Sequence, residues 1–168
     1  MNFLELAKER YSVRMFSDRP IEEEKLNLIL EAARVAPTAC NNQPQRIYVI
    51  QSPEAREKVK KCTRYSFDAP CILLVCYNEE ESWYGVDNKL GCIDATIIGT
   101  HMMMEATELG IGSVWVGSFK ADIVKTEFNL PQHIIPVALF PIGYPSEKAR
   151  PAAQHTKRKE LKETVSYL

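Results

Sequence analysis

The chain has 168 residues, 26% of them charged, and a formal net charge of −1 from 21 basic and 22 acidic side chains. That length accommodates one domain with a real core and leaves no room for a second of ordinary size. The near balance of charge argues against nucleic acid or an anionic membrane as the main partner, so any basic site must be local.

The first nine residues carry two acids and no long apolar core, unlike a signal peptide. No stretch approaches the roughly 18 uninterrupted apolar residues of a membrane span. A cytoplasmic protein is therefore expected. Five cysteines, Cys40, Cys62, Cys71, Cys76 and Cys92, form an odd set with no C-x-x-C pair, which predicts reduced thiols and no metal site. Cys71 and Cys76 lie in an apolar run and read as core, whereas Cys40 sits in a polar loop.

In chain order, a short helix is predicted over residues 2–9 and a second over 21–35, with Ser17 or Asp18 and Pro20 as start signals and Pro37 as stop. Leu26, Ile29, Leu30 and Ala33 recur there at helical spacing. Residues 46–50 read as a strand, and Ser52-Pro53 opens a charged helix to about Lys61. The continuous apolar run 71–77 suits a central strand covered on both faces.

A long helix follows over 86–109, apolar around much of its circumference and ended by Gly110, so it should be buried against the sheet or against another subunit. His101 on that helix reads as a hydrogen-bonded core residue rather than a proton donor. Trp83 and Tyr84, just before it, either wall a pocket or cover the core. A short strand over 113–116, a short helix over 121–128 and a strand over 134–140 complete the pattern. Pro136 and Pro141 mark that last strand as irregular or near an edge. The polar tail ends in a short apolar stretch at 160–165 that is stable only if it docks on something.

Three polar segments interrupt this core. In Arg10-Tyr11-Ser12-Val13-Arg14 an extended backbone aims two guanidinium groups and a hydroxyl to one side, a grip suited to phosphate. Its alternative is a solvated basic turn. The segment Pro37-Thr38-Ala39-Cys40-Asn41-Asn42-Gln43-Pro44 offers amide donors and acceptors able to read the polar edge of a heterocycle, or is an ordinary helix-to-strand loop. Gly112-Ser113-Val114-Trp115-Val116-Gly117 ends a strand between glycines, where backbone amides can approach a flat ligand closely.

With Pro141-Ile142-Gly143-Tyr144-Pro145, these segments resemble the FMN-dependent nitroreductase family, in the same order and over essentially the whole chain. The resemblance implies an α+β fold, a mixed central sheet flanked by helices in three layers, forming one FMN-binding domain over residues 1–168. It also implies an intertwined homodimer with FMN in a cleft between subunits. NADH or NADPH would be the transient donor, reducing small electron-poor acceptors such as nitroaromatics and quinones by a ping-pong mechanism.

Carried over by residue, Arg10, Tyr11, Ser12 and Arg14 resemble the phosphate and ribityl contacts. Pro37, Thr38, Ala39 and Asn41, with Gln43 close behind, resemble the loop donated by the partner subunit. Trp115, Val116 and Gly117 match the segment lining the isoalloxazine ring, and Lys157, Arg158 and Lys159 resemble a second phosphate clamp. No catalytic side chain is implied, because the flavin carries the chemistry.

Two departures stand out. Gln45 replaces the aromatic residue usual after Gln-Pro, and the chain is short for the family, which predicts an open, unselective pocket. A flavin carrier of the same fold, with negligible turnover, is the alternative reading.

Overall fold

The structure, a computed structural model, describes residues 2–85 and 89–168. Its helices are α1 (Phe3–Glu9), α2 (Glu23–Val35), α3 (Pro53–Cys62), α4 (Gly91–Glu108), α5 (Ala121–Glu127) and α6 (Leu161–Thr164). The strands are β1 (Gln45–Ile50), β2 (Cys71–Asn78), β3 (Gly112–Ser113) and β4 (Ile134–Gly143). They form one sheet in the order β1-β2-β4-β3, each neighbouring pair antiparallel.

All eight residues of β2 are buried, because α2 and α4 cover one face of the sheet and α3 and α5 the other. The first layer brings Ile29, Ile98 and Met102 onto Leu73, Val75 and Phe140. The second brings Val59, Cys62 and Val124 onto Ile72, Leu74 and Leu139. Each such side chain contributes about 1.5–3 kcal/mol through burial. Burial pushes the thiols of Cys71 and Cys76 up to about 12, so both are unreactive core residues, and all five cysteines carry free thiols.

The proline-bearing strand β4 lies between β2 and β3 rather than at an edge, and it is irregular. Val75 pairs with Ala138 but Cys76 with Pro136, leaving Val137 as an extra residue in a bulge. The bulge changes the side-chain parity: Ile134 packs on the α3/α5 side, whereas Ala138, Phe140 and Ile142 pack on the α2/α4 side. Proline is tolerated at such a point because the ladder is already interrupted. Pro141 keeps its acceptor in use, taking the Val114 N–H at 3.1 Å.

Helix starts follow local chemistry. Asn2 and Glu5 form a reciprocal capping box on α1, and Ser52 accepts from Ala55 N at 3.2 Å to open α3 behind Pro53. Helix α2 starts at Glu23, and neither Ser17 nor Asp18 caps it. Of the long helix expected over 86–109, the first turn falls partly on residues 86–88, outside the described residues, and α4 begins at Gly91. Strand β3 is shorter than expected, though Val114 N still donates to Pro141 O and Val116 pairs with Leu139 as an isolated bridge.

The sheet's remaining edge is closed by residues 12–17. Ser12 pairs in parallel with Ser113, Val13 N donates to Ser113 O at 2.9 Å, and Phe16 pairs with Pro145. This parallel pairing is an isolated bridge beside the sheet, whose four strands are all antiparallel rather than mixed as expected. The other end of the chain differs: residues 156–168 are all exposed, with Leu161 at 78% and Tyr167 at 98%.

His101 departs from the expectation of a core residue. Its Nδ1 lies 2.9 Å from Ile97 O, but the side chain is exposed in the wall of an apolar cavity of about 630 Å³ shared with Phe3, Leu28, Val35 and Met104. Trp83 and Tyr84 are likewise exposed and do not cover the core. Among the described residues, no helix is long and apolar enough to cross a membrane.

Candidate functional site

Pairing with Ser113 fixes the segment at Ser12 and Val13, and its two arginines line different cavities. Val13 is buried, and a methyl at Gly112 would sit 2.7 Å from Val13 Cγ2, so only glycine lets the two chains lie this close. Arg10 and Tyr11 line a cavity of about 150 Å³ with Thr107, Gly112, Ser113 and Pro145. In that wall Ser113 Oγ is buried without a hydrogen-bond partner, and a buried polar atom of this kind calls for a ligand atom to complete it.

Arg14 is exposed, donates to Ser12 O at 3.3 Å, and lines a second cavity of about 190 Å³ with Tyr65, Phe67, Trp115, Val116 and Gly117. Trp115 is half-buried. Its indole lies over α4, where any side chain at Gly99 would come within 2.2 Å of it, and near Phe140 at 6.3 Å between ring centroids. A Cβ placed on Gly117 would meet nothing closer than 4.0 Å, so the backbone there is open to a flat ligand.

One contact ties the C-terminal segment to this region: His155, two residues before Lys157, packs edge-on against Tyr11 at 6.2 Å between centroids. Lys157, Arg158 and Lys159 are all exposed, and Arg158 donates back to Lys157 O at 2.8 Å. Among the described residues, none of Arg10, Arg14, Lys157, Arg158 or Lys159 is in an ion pair. Arg10, unneutralised, shares a cavity with this unpartnered hydroxyl, and Arg14 lines the Trp115 cavity; free guanidinium groups of this kind suit a phosphate monoester.

The 37–43 loop lies elsewhere. Ala39 N donates to Asp94 Oδ1 at 2.9 Å, which fixes the loop to the first turns of α4. Gln43 N donates to Thr38 Oγ1, and Gln43 Nε2 to Asn41 O. Cys40, Asn41 and Gln43 adopt left-handed φ of 51°, 54° and 51°, each costing about 1 kcal/mol or more for a non-glycine residue. Pro37, Asn41 and Gln43 remain exposed, and Thr38 and Ala39 are half-buried.

Thr107, at the other end of α4, belongs to the Arg10 cavity. Thirteen residues of helix separate it from Asp94, about 20 Å at 1.5 Å per residue. One protomer thus presents the two halves of the expected site apart.

Sequence reading missed Asp94, whose second oxygen, Oδ2, is buried without a partner. The available signal was an acid in the first turn of the helix, set among apolar and small residues and well apart from Glu105 and Glu108. It also missed the network at Glu22. Tyr144 Oη donates to Glu22 Oε2 at 2.5 Å and Lys25 Nζ to Tyr144 Oη at 2.9 Å. The Tyr144 bond, assisted by Arg19, draws the Glu22 carboxyl down to about 2. Gln45 leaves its Oε1 buried and unpartnered, an unfilled polar contact where the family carries an aromatic ring.

A helix-covered antiparallel sheet with a cationic edge beside an open glycine strand defines the class, and a family model described as the nitroreductase family matches residues 7–67 and 61–144: the chain belongs to that family. It is 45% identical to a nitroreductase family protein of Clostridium difficile 630, whose crystal structure superposes with a TM-score of 0.93 over 99% of this chain and 98% of that one. It is 31% identical, over 88% of this chain and 79% of the other, to a Methanothermobacter thermautotrophicus protein provisionally named NADH dehydrogenase/NAD(P)H nitroreductase. It is 25% identical to the FMN reductase [NAD(P)H] of Bacillus subtilis, over 82% of this chain and 64% of that protein.

Proposed function

We propose that the chain is one FMN-binding domain over residues 1–168 that works as a cytoplasmic homodimer, an FMN oxidoreductase using NAD(P)H to reduce electron-poor acceptors such as nitroaromatics and quinones. The observation that carries this is the unpaired Arg10 beside the unpartnered Ser113 Oγ, together with the unpaired Arg14 in the cavity lined by Trp115 and Gly117. Arg10, Arg14 and the 157–159 cations hold the phosphate, Tyr11 and Ser12 border it, and Trp115, Val116 and Gly117 border the ring.

Bound FMN supplies the hydride acceptor and two-electron donor, and the protein binds, orients and excludes water. A single open face used in turn by donor and acceptor gives ping-pong kinetics.

The homodimer reading is supported by the roughly 20 Å between the two halves of the site and by the apolar cavity at Phe3, Leu28 and Val35. A second copy covering that face can bring its Pro37, Thr38, Ala39, Asn41 and Gln43 to the first copy's arginines. Such an interface buries on the order of 2,000 Å² or more, and a monomer in dilute solution by sedimentation would sink this part of the reading.

The purified protein is tested by its visible spectrum and by adding NADH and NADPH separately without oxygen. Yellow absorption that bleaches with either donor is the expected result. A colourless protein that fails to take up FMN overturns the reading.

A further inference from the structure

Next to the Arg14 and Gly117 cavity lies a larger one of about 500 Å³, lined by Lys60, Lys61, Arg64, Tyr65, Ser118 and Lys120 among others. The two share Tyr65 and Ser118, so they are continuous walls of one surface. Its frame is built from two segments bonded to each other: Lys120 N donates to Cys62 O at 3.0 Å, and the buried Thr63 Oγ1 donates to Ser118 O at 2.7 Å while accepting from Tyr65 N at 3.2 Å.

The charge on this frame is divided. Lys60 is neutralised by Glu57 and Asp68, and Lys61 by Glu127. Among the described residues, Arg64 and Lys120 have no acidic partner. The Arg64 guanidinium is steadied instead over the Tyr65 ring at 4.9 Å, donating to Tyr65 Oη at 2.7 Å. Two unpaired cations in the lining of one concave surface beside a ring site suit a phosphorylated extension of a ligand whose flat end stacks on the ring.

We propose that Arg64 and Lys120 bind the phosphoryl groups of the pyridine-nucleotide donor and so set its KM. The inference rests on the oxidoreductase reading above. It assigns to the chain a donor subsite built on α3's end and the loop before α5, separate from the 10–14 and 157–159 cations.

The test compares the FMN-loaded wild type with the double variant Arg64→Gln/Lys120→Gln, using NADPH, NADH and N-benzyl-1,4-dihydronicotinamide, a hydride donor without phosphate. The expected result is a KM for NADPH raised about tenfold or more, equivalent to one or two lost charge-assisted contacts, with kcat and the unphosphorylated donor unchanged. A rise for NADPH alone assigns the 2′-phosphate, and a rise for NADH as well assigns the diphosphate. The conservative variant Arg64→Lys/Lys120→Arg keeps most of the affinity.

Unchanged KM for both nucleotides in the double variant overturns the inference alone. So does an equal loss with the unphosphorylated donor, because the effect is then not one of phosphate. A wild type that binds FMN but is reduced by none of the three donors overturns the enzyme reading and this inference with it.

Discussion

The two ends of the chain, which carry the cations proposed to hold phosphate, are held in opposite ways. The 10–14 segment is fixed to the sheet by Val13 N to Ser113 O and by the close approach of Val13 to Gly112. The 157–168 tail is exposed throughout, and its approach to that segment rests on the Tyr11–His155 contact. Of the two parts of the proposed phosphate grip, one is thus fixed by folding and the other lies exposed. Leu161, Val165, Tyr167 and Leu168 leave apolar area in water that the proposed dimer would cover.

Removing residues 160–168 is the most severe way to break this comparison. Far-UV circular dichroism is expected to stay close to wild type, because nothing in the two core clusters is lost. Sedimentation is expected to show monomer, and FMN affinity to fall about a hundredfold, the scale of two lost charge-assisted contacts. A truncated protein that remains dimeric and fully loaded would show that the tail is an ornament.

Gly112→Val attacks the formed half. Its side chain must displace Val13 from 2.7 Å, which pushes Arg10 and Ser12 off the β3 edge. FMN binding by fluorescence quenching is expected to weaken by about ten- to a hundredfold, with the dimer intact. Alanine at Lys157, Arg158 and Lys159 in turn sharpens the comparison further. The residue that reaches phosphate is expected to raise the dissociation constant for FMN about tenfold, and the other two to leave it near wild type.

The smallest effect concerns Tyr144→Phe, at the junction that follows β4. The Glu22 carboxyl is held down near 2 first by the Tyr144 bond. A depressed folded-state value stabilises the fold above the ordinary carboxylate range, and that contribution is lost as pH falls from about 4.5 through about 2. Removing the hydroxyl is expected to move the Glu22 titration upward, read by carboxyl-carbon NMR, and to shift the acid limb of stability to higher pH. An unchanged titration would assign the depression to Arg19.

Most elements were legible because apolar spacing and cap chemistry act locally: the 71–77 run and the Ser52-Pro53 start carry their cause within a few residues. What escaped has its cause far along the chain. Asp94 is 55 residues from Ala39, and Lys25 is 119 from Tyr144, so no window contains both partners. His101 was misread for a related reason: an apolar helix face looks the same whether its cover is its own sheet or another molecule. Strand β4 was placed as a possible edge because proline usually signals one, and the bulge that accommodates Pro136 depends on β2.

That bulge also limits how the gene can change. With Val137 present, Ala138, Phe140 and Ile142 face the α2/α4 layer and Leu139 the other; without it, every side chain from Ala138 to Ile142 would exchange faces and carry Phe140 to the wrong side of the sheet. Loops of this chain can gain or lose a residue and keep the fold, but at this point a deletion of three nucleotides acts like a frameshift written in space.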